Sequence, residues 1–394
     1  MNAFEIAKRI SFQKQKNYTR FIVRLSIAAT AISVAAILIT ISIVNGFQQT
    51  VSNKVYAFWG EIRIASVNGA PLEKNDALAA RLAKIPGVES IHPFLNQSTV
   101  LAYQQDIEGV VAKGIVANSP IAFIVQGRNI QSNKDSMVSE VVLSDYLTKT
   151  LNIPLGATVK LYFLNIGEVQ QRKLKVVGIY HSGIEDYDKQ YILVDLKLLQ
   201  QLNHHLNEIE GYALKLQKKA TIELINDQVQ RQMPPNWVAT TIKDYYPQIF
   251  DWIGVQTVNR NVTITIMLLI AIVNLLTCLF ILMLERIPMI GTLTSLGATQ
   301  SFIRQIFLYQ ASFICWMGIG IGSVIGIGLC YLQKQFGWIQ LDESAYFIKT
   351  LPIEFDAYQI ILVVLGTAII SYISFLIPTL WIKKIAPAKA IKFD

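Results

Sequence analysis

Residues 285–308 read ERIPMIGTLTSLGATQSFIRQIFL, a short stretch of charged and small residues set between two long apolar runs. It is too polar to cross a bilayer. Glu285 and Arg286 close the preceding run, Pro288 suits the first turn of a new helix, Gly297 suits its end, and Arg304 opens the next run. The stretch is therefore expected to form a short helix held at a membrane surface between two spanning helices, where a second, force-generating protein could push.

The composition outside that stretch fits a membrane setting. The 394 residues are 52% hydrophobic and 16% charged, and the mean hydropathy of +0.39 is high for a soluble chain. Four runs, at residues 25–44, 262–284, 306–332 and 358–382, are long enough for a hydrocarbon core of roughly 30 Å. The expected organisation is an amphipathic helix lying in the headgroup layer at 1–20, a first span at 21–45, an outer domain at 46–260 and a second span at 261–284. There follow the polar loop at 285–305, a third span at 306–332, an outer loop at 333–357, a fourth span at 358–382 and a tail at 383–394.

The net charge of +8 orients the chain rather than pointing to nucleic acid. Lys8, Arg9, Lys14, Lys16, Arg20 and Arg24 precede the first apolar run, and Lys383, Lys384, Lys389 and Lys392 follow the last. Arg286 and Arg304 flank the polar loop. By the positive-inside rule both termini and that loop face the cytoplasm, which leaves 46–260 and 333–357 outside. The cysteines, Cys278, Cys315 and Cys330, all fall in the spans, so no disulfide braces the outer domain.

That outer segment alternates short strand-like stretches (61–67, 88–91, 99–103, 109–116, 138–143, 159–165, 173–180, 191–194, 211–216) with short helical ones (76–84, 144–150, 196–202, 222–232), the pattern of an α+β domain. Ser144 reads as a helix N-cap, and Asn45-Gly46-Phe47 as the C-cap of the first span. In the third span Gly318, Gly322 and Gly326 recur every four residues, one small-residue face for tight helix packing against the fourth span or a second copy of the chain.

Motifs for chemistry are missing. There is no GxxxxGK[ST], HExxH, CxxC or GxSxG, so neither nucleotide hydrolysis nor a metal or serine hydrolase mechanism is written in this chain. No catalytic, cofactor or metal residue is expected. His92, His181, His204 and His205 are dispersed or adjacent, and the polar run 180–189 (YHSGIEDYDK) reads as a solvated connection between strands. The apolar runs 25–44, 262–284 and 306–332 hold no Asp, Glu, Lys, Arg or His, which argues against an ion-coupled carrier. Asn274 reads as a helix-to-helix hydrogen bond.

One span, a large outer domain and three further spans with a charged loop after the second form an unusual order. Together with residues 37–55 (ILITISIVNGFQQTVSNKV), 176–196 (VVGIYHSGIEDYDKQYILVDL), 245–256 (YYPQIFDWIGVQ) and 285–308, this order resembles the LolC/LolE-like permease subunits of lipoprotein-releasing ABC transporters. These sit in the wider FtsX/MacB permease group. The resemblance implies an α+β membrane protein, with a large periplasmic α+β domain of the MacB core type inserted between transmembrane helices 1 and 2, in the bacterial inner membrane. It also implies a permease that is not an enzyme, a separate LolD-like ATPase subunit carrying ATP and Mg, a second permease copy or paralogue, and a lipoprotein substrate. The ATPase would dock on a coupling helix formed here by Glu285, Arg286, Met289, Ile290, Leu293, Leu296, Gly297, Ala298 and Arg304. A periplasmic carrier is a candidate partner, although the hairpin that recruits it in one family member is expected to be short here, over residues 161–175. The alternative within the group is a permease that passes motion to periplasmic partners for export or cell-wall control.

Overall fold

In the computed structural model of the protein, residues 17–117, 119, 121, 123–131, 139–165, 168–203, 206–217 and 220–381 are described. Nearly all of the amphipathic helix expected at 1–20, the tail expected at 383–394, and the pair His204 and His205 lie outside them. The first elements along the chain are α1 (Asn17–Trp59), β1 (Ile62–Ser66), β2 (Leu72–Glu73), α2 (Asp76–Leu82), β3 (Val88–Tyr103), β4 (Asp106–Ile115), β5 (Ile124–Gly127), β6 (Glu140–Ser144) and α3 (Asp145–Thr150). Next come β7 (Thr158–Asn165), β8 (Glu168–Tyr180), α4 (Glu185–Gln190), β9 (Tyr191–Asp195), α5 (Leu196–Leu202), β10 (Glu208–Ile209), β11 (Gly211–Leu216), α6 (Ile222–Gln230), β12 (Trp237–Thr241) and α7 (Ile242–Tyr245). The last are α8 (Pro247–Glu285), α9 (Ile287–Ser295), α10 (Gln300–Phe336), α11 (Glu343–Tyr346) and α12 (Ala357–Trp381). The chain divides into a helical unit (Met1–Gln49, Ile253–Gln340, Thr350–Asp394) and an outer unit (Thr50–Trp252, Leu341–Lys349).

In the helical unit, α1, α8, α10 and α12 are long and apolar enough to cross a membrane. The glycine stripe of α10 packs on α1, and neither α12 nor a second copy is needed to explain it. A Cβ at Gly318 would stand 2.7 Å from Thr30 Cβ, one at Gly322 2.5 Å from Ala31 O, and one at Gly326 3.1 Å from Ala35 Cα. Small residues on both helices let the backbones approach closely enough for dispersion contacts to hold them, the main attraction left between helices in lipid. Gly320 and Gly328, off that face, have nothing within 4 Å. Asn274 Nδ2 of α8 donates to Ser26 O of α1 at 3.1 Å, the helix-to-helix bond expected of it. Around these contacts Val34, Leu38, Leu275, Leu279, Phe307, Ile314 and Phe375 form a buried apolar core.

The cap expected at Asn45-Gly46-Phe47 is absent, because α1 runs on to Trp59. Those residues serve packing instead. Gly46 admits the backbone that precedes α12: a Cβ there would lie 2.6 Å from Pro352 O, and Glu354 N donates to Ser42 O at 3.1 Å. Asn45 Nδ2 donates to Gln359 Oε1 at 2.8 Å, while its Oδ1 accepts from Arg260 Nη1 at 3.0 Å. One amide thus ties α1 to both α8 and α12.

The described strands of the outer unit form a ten-stranded sheet in the order β12-β1-β11-β3-β4-β9-β6-β8-β5, with β7 paired to β3 and β8, and a separate pair β10-β2. Long β3 is the hub: its first half pairs with β11 and its second half with β4 and β7. Alternate residues such as Ile62, Ile64, Leu101, Ala112, Val141, Leu143, Val159, Leu161 and Phe163 are fully buried on the core face. Ser144 caps α3 as expected, accepting from Leu147 N at 3.1 Å. Strands β7 and β8 pair from Thr158↔Lys175 to Asn165↔Glu168, and β3 covers β7 from Lys160 to Phe163. Among the described residues only the last two of β7 extend past that pairing at the hairpin end, so no long projecting hairpin is seen among them.

Gly322→Ala drives a methyl group into the Ala31 backbone, and overpacking of this kind costs about 1–3 kcal/mol. Thermal unfolding of the detergent-solubilised protein is expected to fall by several degrees for Gly322→Ala and to stay unchanged for Gly320→Ala. Equal shifts in the two variants would refute the α1–α10 contact.

Candidate functional site

The polar stretch folds as its residues suggest. Pro288 occupies the first turn of α9, where its missing N–H leaves no bond unmade, and Ile290 N donates to Arg286 O at 3.0 Å. The helix stops at Leu296 because Gly297 turns left-handed (φ +87), which lets Gly297 N reach Thr294 O at 3.0 Å and Ala298 N reach Leu293 O at 2.9 Å. Thr299 then caps α10, its Oγ1 accepting from Phe302 N at 3.3 Å.

The expected docking residues do not share one face. Ile290 is buried among Leu282, Met283, Ile303 and Phe307, and Met289 and Leu293 pack half-buried against Phe302 and Ile306. Ala298, Glu285, Arg286 and Arg304 are also half-buried. Leu296 is the apolar group left outside, at 84% exposure, with Pro288, Thr292, Ser295 and exposed Gly297 around it. A helix of nine residues that is small or apolar on all sides hides this division from sequence reading: its inward stripe is set by the grooves of α8 and α10.

These features sit in a chain whose residues 25–232 match the MacB-like periplasmic core domain and whose residues 261–387 match the FtsX-like permease C-terminal region. The chain belongs to the MacB-like periplasmic core domain family. It is a permease of the FtsX/MacB type, similar to LolC and LolE. The lipoprotein-releasing system transmembrane protein LolC of Neisseria meningitidis is 22% identical, covering 97% of this chain and 96% of that one. LolE of Haemophilus influenzae, described in the same words, is 23% identical over 98% of each chain. Among solved structures, the periplasmic region of MacB from Actinobacillus actinomycetemcomitans covers 48% of this chain and 92% of its own, at 16% identity and a TM-score of 0.36.

Outside the polar stretch of this permease, three features escaped the sequence reading. The run 180–189 is not a solvated connection: Tyr180, Ser182, Ile184, Tyr187 and Asp188 are buried, and Tyr180 Oη donates to Tyr191 O at 2.7 Å. The aromatic rings that interrupt its charges supply this packing. The second is Lys113, fully buried on β4. Its ammonium donates to Phe58 O at the end of α1 and lies 4.1 Å and 3.9 Å from the ring centres of Phe58 and Trp59. A cation is well placed at a helix C-terminus and over aromatic faces. Burial, with Arg63 adding repulsion, holds this amine well below the ordinary lysine range. Nothing in the β4 sequence distinguishes that lysine. The third is Gln310, a second amide within the spans beside Asn274, buried on α10.

Truncating Ile290 to Ala should cost about 2–5 kcal/mol, the usual range for a buried large-to-small change, whereas Leu296→Ala should leave stability unchanged. Thermal unfolding of the two purified variants measures the difference, and a matching loss in Leu296→Ala would mean that α9 is turned the other way.

Proposed function

We propose that this chain is the permease subunit of an ABC transporter in the bacterial inner membrane, which uses ATP hydrolysed by a separate subunit to extract lipoproteins from the outer leaflet toward the outer membrane. The observation that carries this reading is the end-to-end similarity to LolC and LolE, transmembrane proteins of lipoprotein-releasing systems. The termini and α9 face the cytoplasm, and the α+β domain, inserted between the first two spans, faces the periplasm. ATP and Mg belong to the partner ATPase.

A lipoprotein with three acyl chains of about 16 carbons is held by its bilayer with on the order of 30–40 kcal/mol, at about 0.8 kcal/mol per methylene. Spontaneous escape into water is negligible, so release needs both an energy source and an apolar surface to receive the chains. Exposed Val255, Val258, Val262, Ile266, Leu269 and Val273 recur along one side of α8 at helical spacing and supply such a surface. The second permease, a copy or a paralogue, would close it.

The ATPase docks on α9 through Leu296, with Pro288, Thr292 and Gly297 forming the surface around it. Half-buried Glu285, Arg286 and Arg304 hold the ends of the segment. The short β7–β8 hairpin favours an acceptor that does not rely on a long periplasmic hook. The FtsX-like match over residues 261–387 favours, as a second reading, a permease that drives periplasmic partners without moving lipid.

Reconstituted with its cognate ATPase in lipoprotein-loaded proteoliposomes, the chain is expected to release lipoprotein only when ATP is present. Release no greater than the ATP-free background, with ATP still hydrolysed, would reject the lipoprotein reading and leave the second one. Leu296→Asp is expected to abolish co-purification of the ATPase while thermal unfolding stays at the wild-type value; retained co-purification would refute docking through α9.

A further inference from the structure

The stretch Leu341–Lys349 connects α10 to α12, yet it belongs to the outer unit. His181, just after β8, is where the two meet. Its Nε2 lies 2.7 Å from Glu343 Oε1 at the start of α11, and its Nδ1 lies 3.3 Å from Asp188 Oδ2 on α4. Lys349 Nζ stands 3.4 Å from Glu343 Oε2. From α1, Lys54 Nζ donates to Phe347 O at 2.6 Å and stands 3.9 Å from Glu343 Oε1. Phe347 takes a left-handed conformation (φ +60), which a bulky residue adopts only when its surroundings hold it there, and its ring meets Trp252 edge-on at 5.7 Å. Gly183 leaves room for the lysine, because a Cβ at that position would collide with Lys54 Nζ.

The hydrogen-bond inventory at His181 is decisive. An ionised carboxylate only accepts, and each ring nitrogen faces one. A neutral imidazole carries a single N–H, so it serves one carboxylate and turns a lone pair toward the other. The imidazolium donates to both. Two carboxylates, Asp188 on α4 and Glu343 on α11, face the ring, and two ammonium groups, Lys54 of α1 and Lys349 after α11, stand against Glu343. Their charges balance, so the proton on His181 decides the net charge of the cluster.

We propose that His181, Asp188 and Glu343 form a proton-operated clasp that fastens the α10–α12 connection to the outer unit. It is closed while His181 carries both ring protons and loosened when one is lost, and histidine is the side chain that ordinarily changes charge between about pH 5 and 8. Burial pushes the Glu343 carboxyl up, but the bond from His181 and the charge of Lys349 outweigh it and leave Glu343 below the usual carboxylate range. Burial pushes Asp188 up despite its bonds from Ser182. The acid limit of the clasp is therefore set by Asp188. The freedom of the α10–α12 connection follows the acidity of the compartment that the outer unit faces.

Hydrogen exchange of the full chain in lipid nanodiscs tests this, with protection over residues 341–349 corrected for the intrinsic exchange rate at each pH. Wild type is expected to lose protection about tenfold between pH 6 and pH 8 while β3 stays unchanged. Glu343→Gln, whose amide pairs with a neutral histidine, should keep protection at both values and lose the pH response. His181→Ala should be poorly protected at both. Wild-type protection equal within twofold at the two pH values would overturn the clasp, as would the same pH response surviving in Glu343→Gln.

Discussion

The close approach of α1 and α10 is the contact on which the helical unit depends. Water cannot drive apolar helices together inside lipid, so association rests on backbone proximity and on the few polar groups that find partners. Gly318, Gly322 and Gly326 provide that proximity against Thr30, Ala31 and Ala35, and Asn274 adds a bond from α8 to the same helix. With α1, α8 and α10 in register, Ile290 has a site to fill between Met283 and Phe307. The orientation of α9 follows, and with it the outward position of Leu296.

At its other end α1 is held equally firmly within the outer unit. Its last turn runs into the buried Lys113 ammonium and a cluster of aromatic rings that includes Phe58, Trp59, Tyr187, Tyr191 and Tyr246.

Much of the fold was legible in the sequence because the bilayer imposes a length and a polarity that few soluble segments meet. The four apolar runs, the short helix with Pro288 at its start and Gly297 at its end, and the Ser144 cap all followed from local chemistry. The failures came where a residue's role depends on a distant neighbour. Asn45-Gly46 carries the signature of a helix end, but the glycine admits the Pro352–Glu354 backbone and the asparagine reaches Gln359 and Arg260. The glycine stripe revealed its purpose but not its partner. Ile290 and Leu296 are equally apolar on paper, and only the grooves of α8 and α10 separate the buried one from the exposed one. His181 and Glu343, 162 positions apart, carried no signal that they meet.

The central claim is that α9 presents Leu296 to an ATPase while turning Ile290 inward. Site-directed crosslinking in membranes addresses it most directly. Single cysteines are placed at 296 and at 290, in a chain whose Cys278, Cys315 and Cys330 are replaced by alanine and which is co-expressed with the cognate ATPase. The account predicts a crosslink to the ATPase from Leu296→Cys and none from Ile290→Cys. Crosslinking from position 290, or none from 296 in a chain that still binds its ATPase, would contradict it.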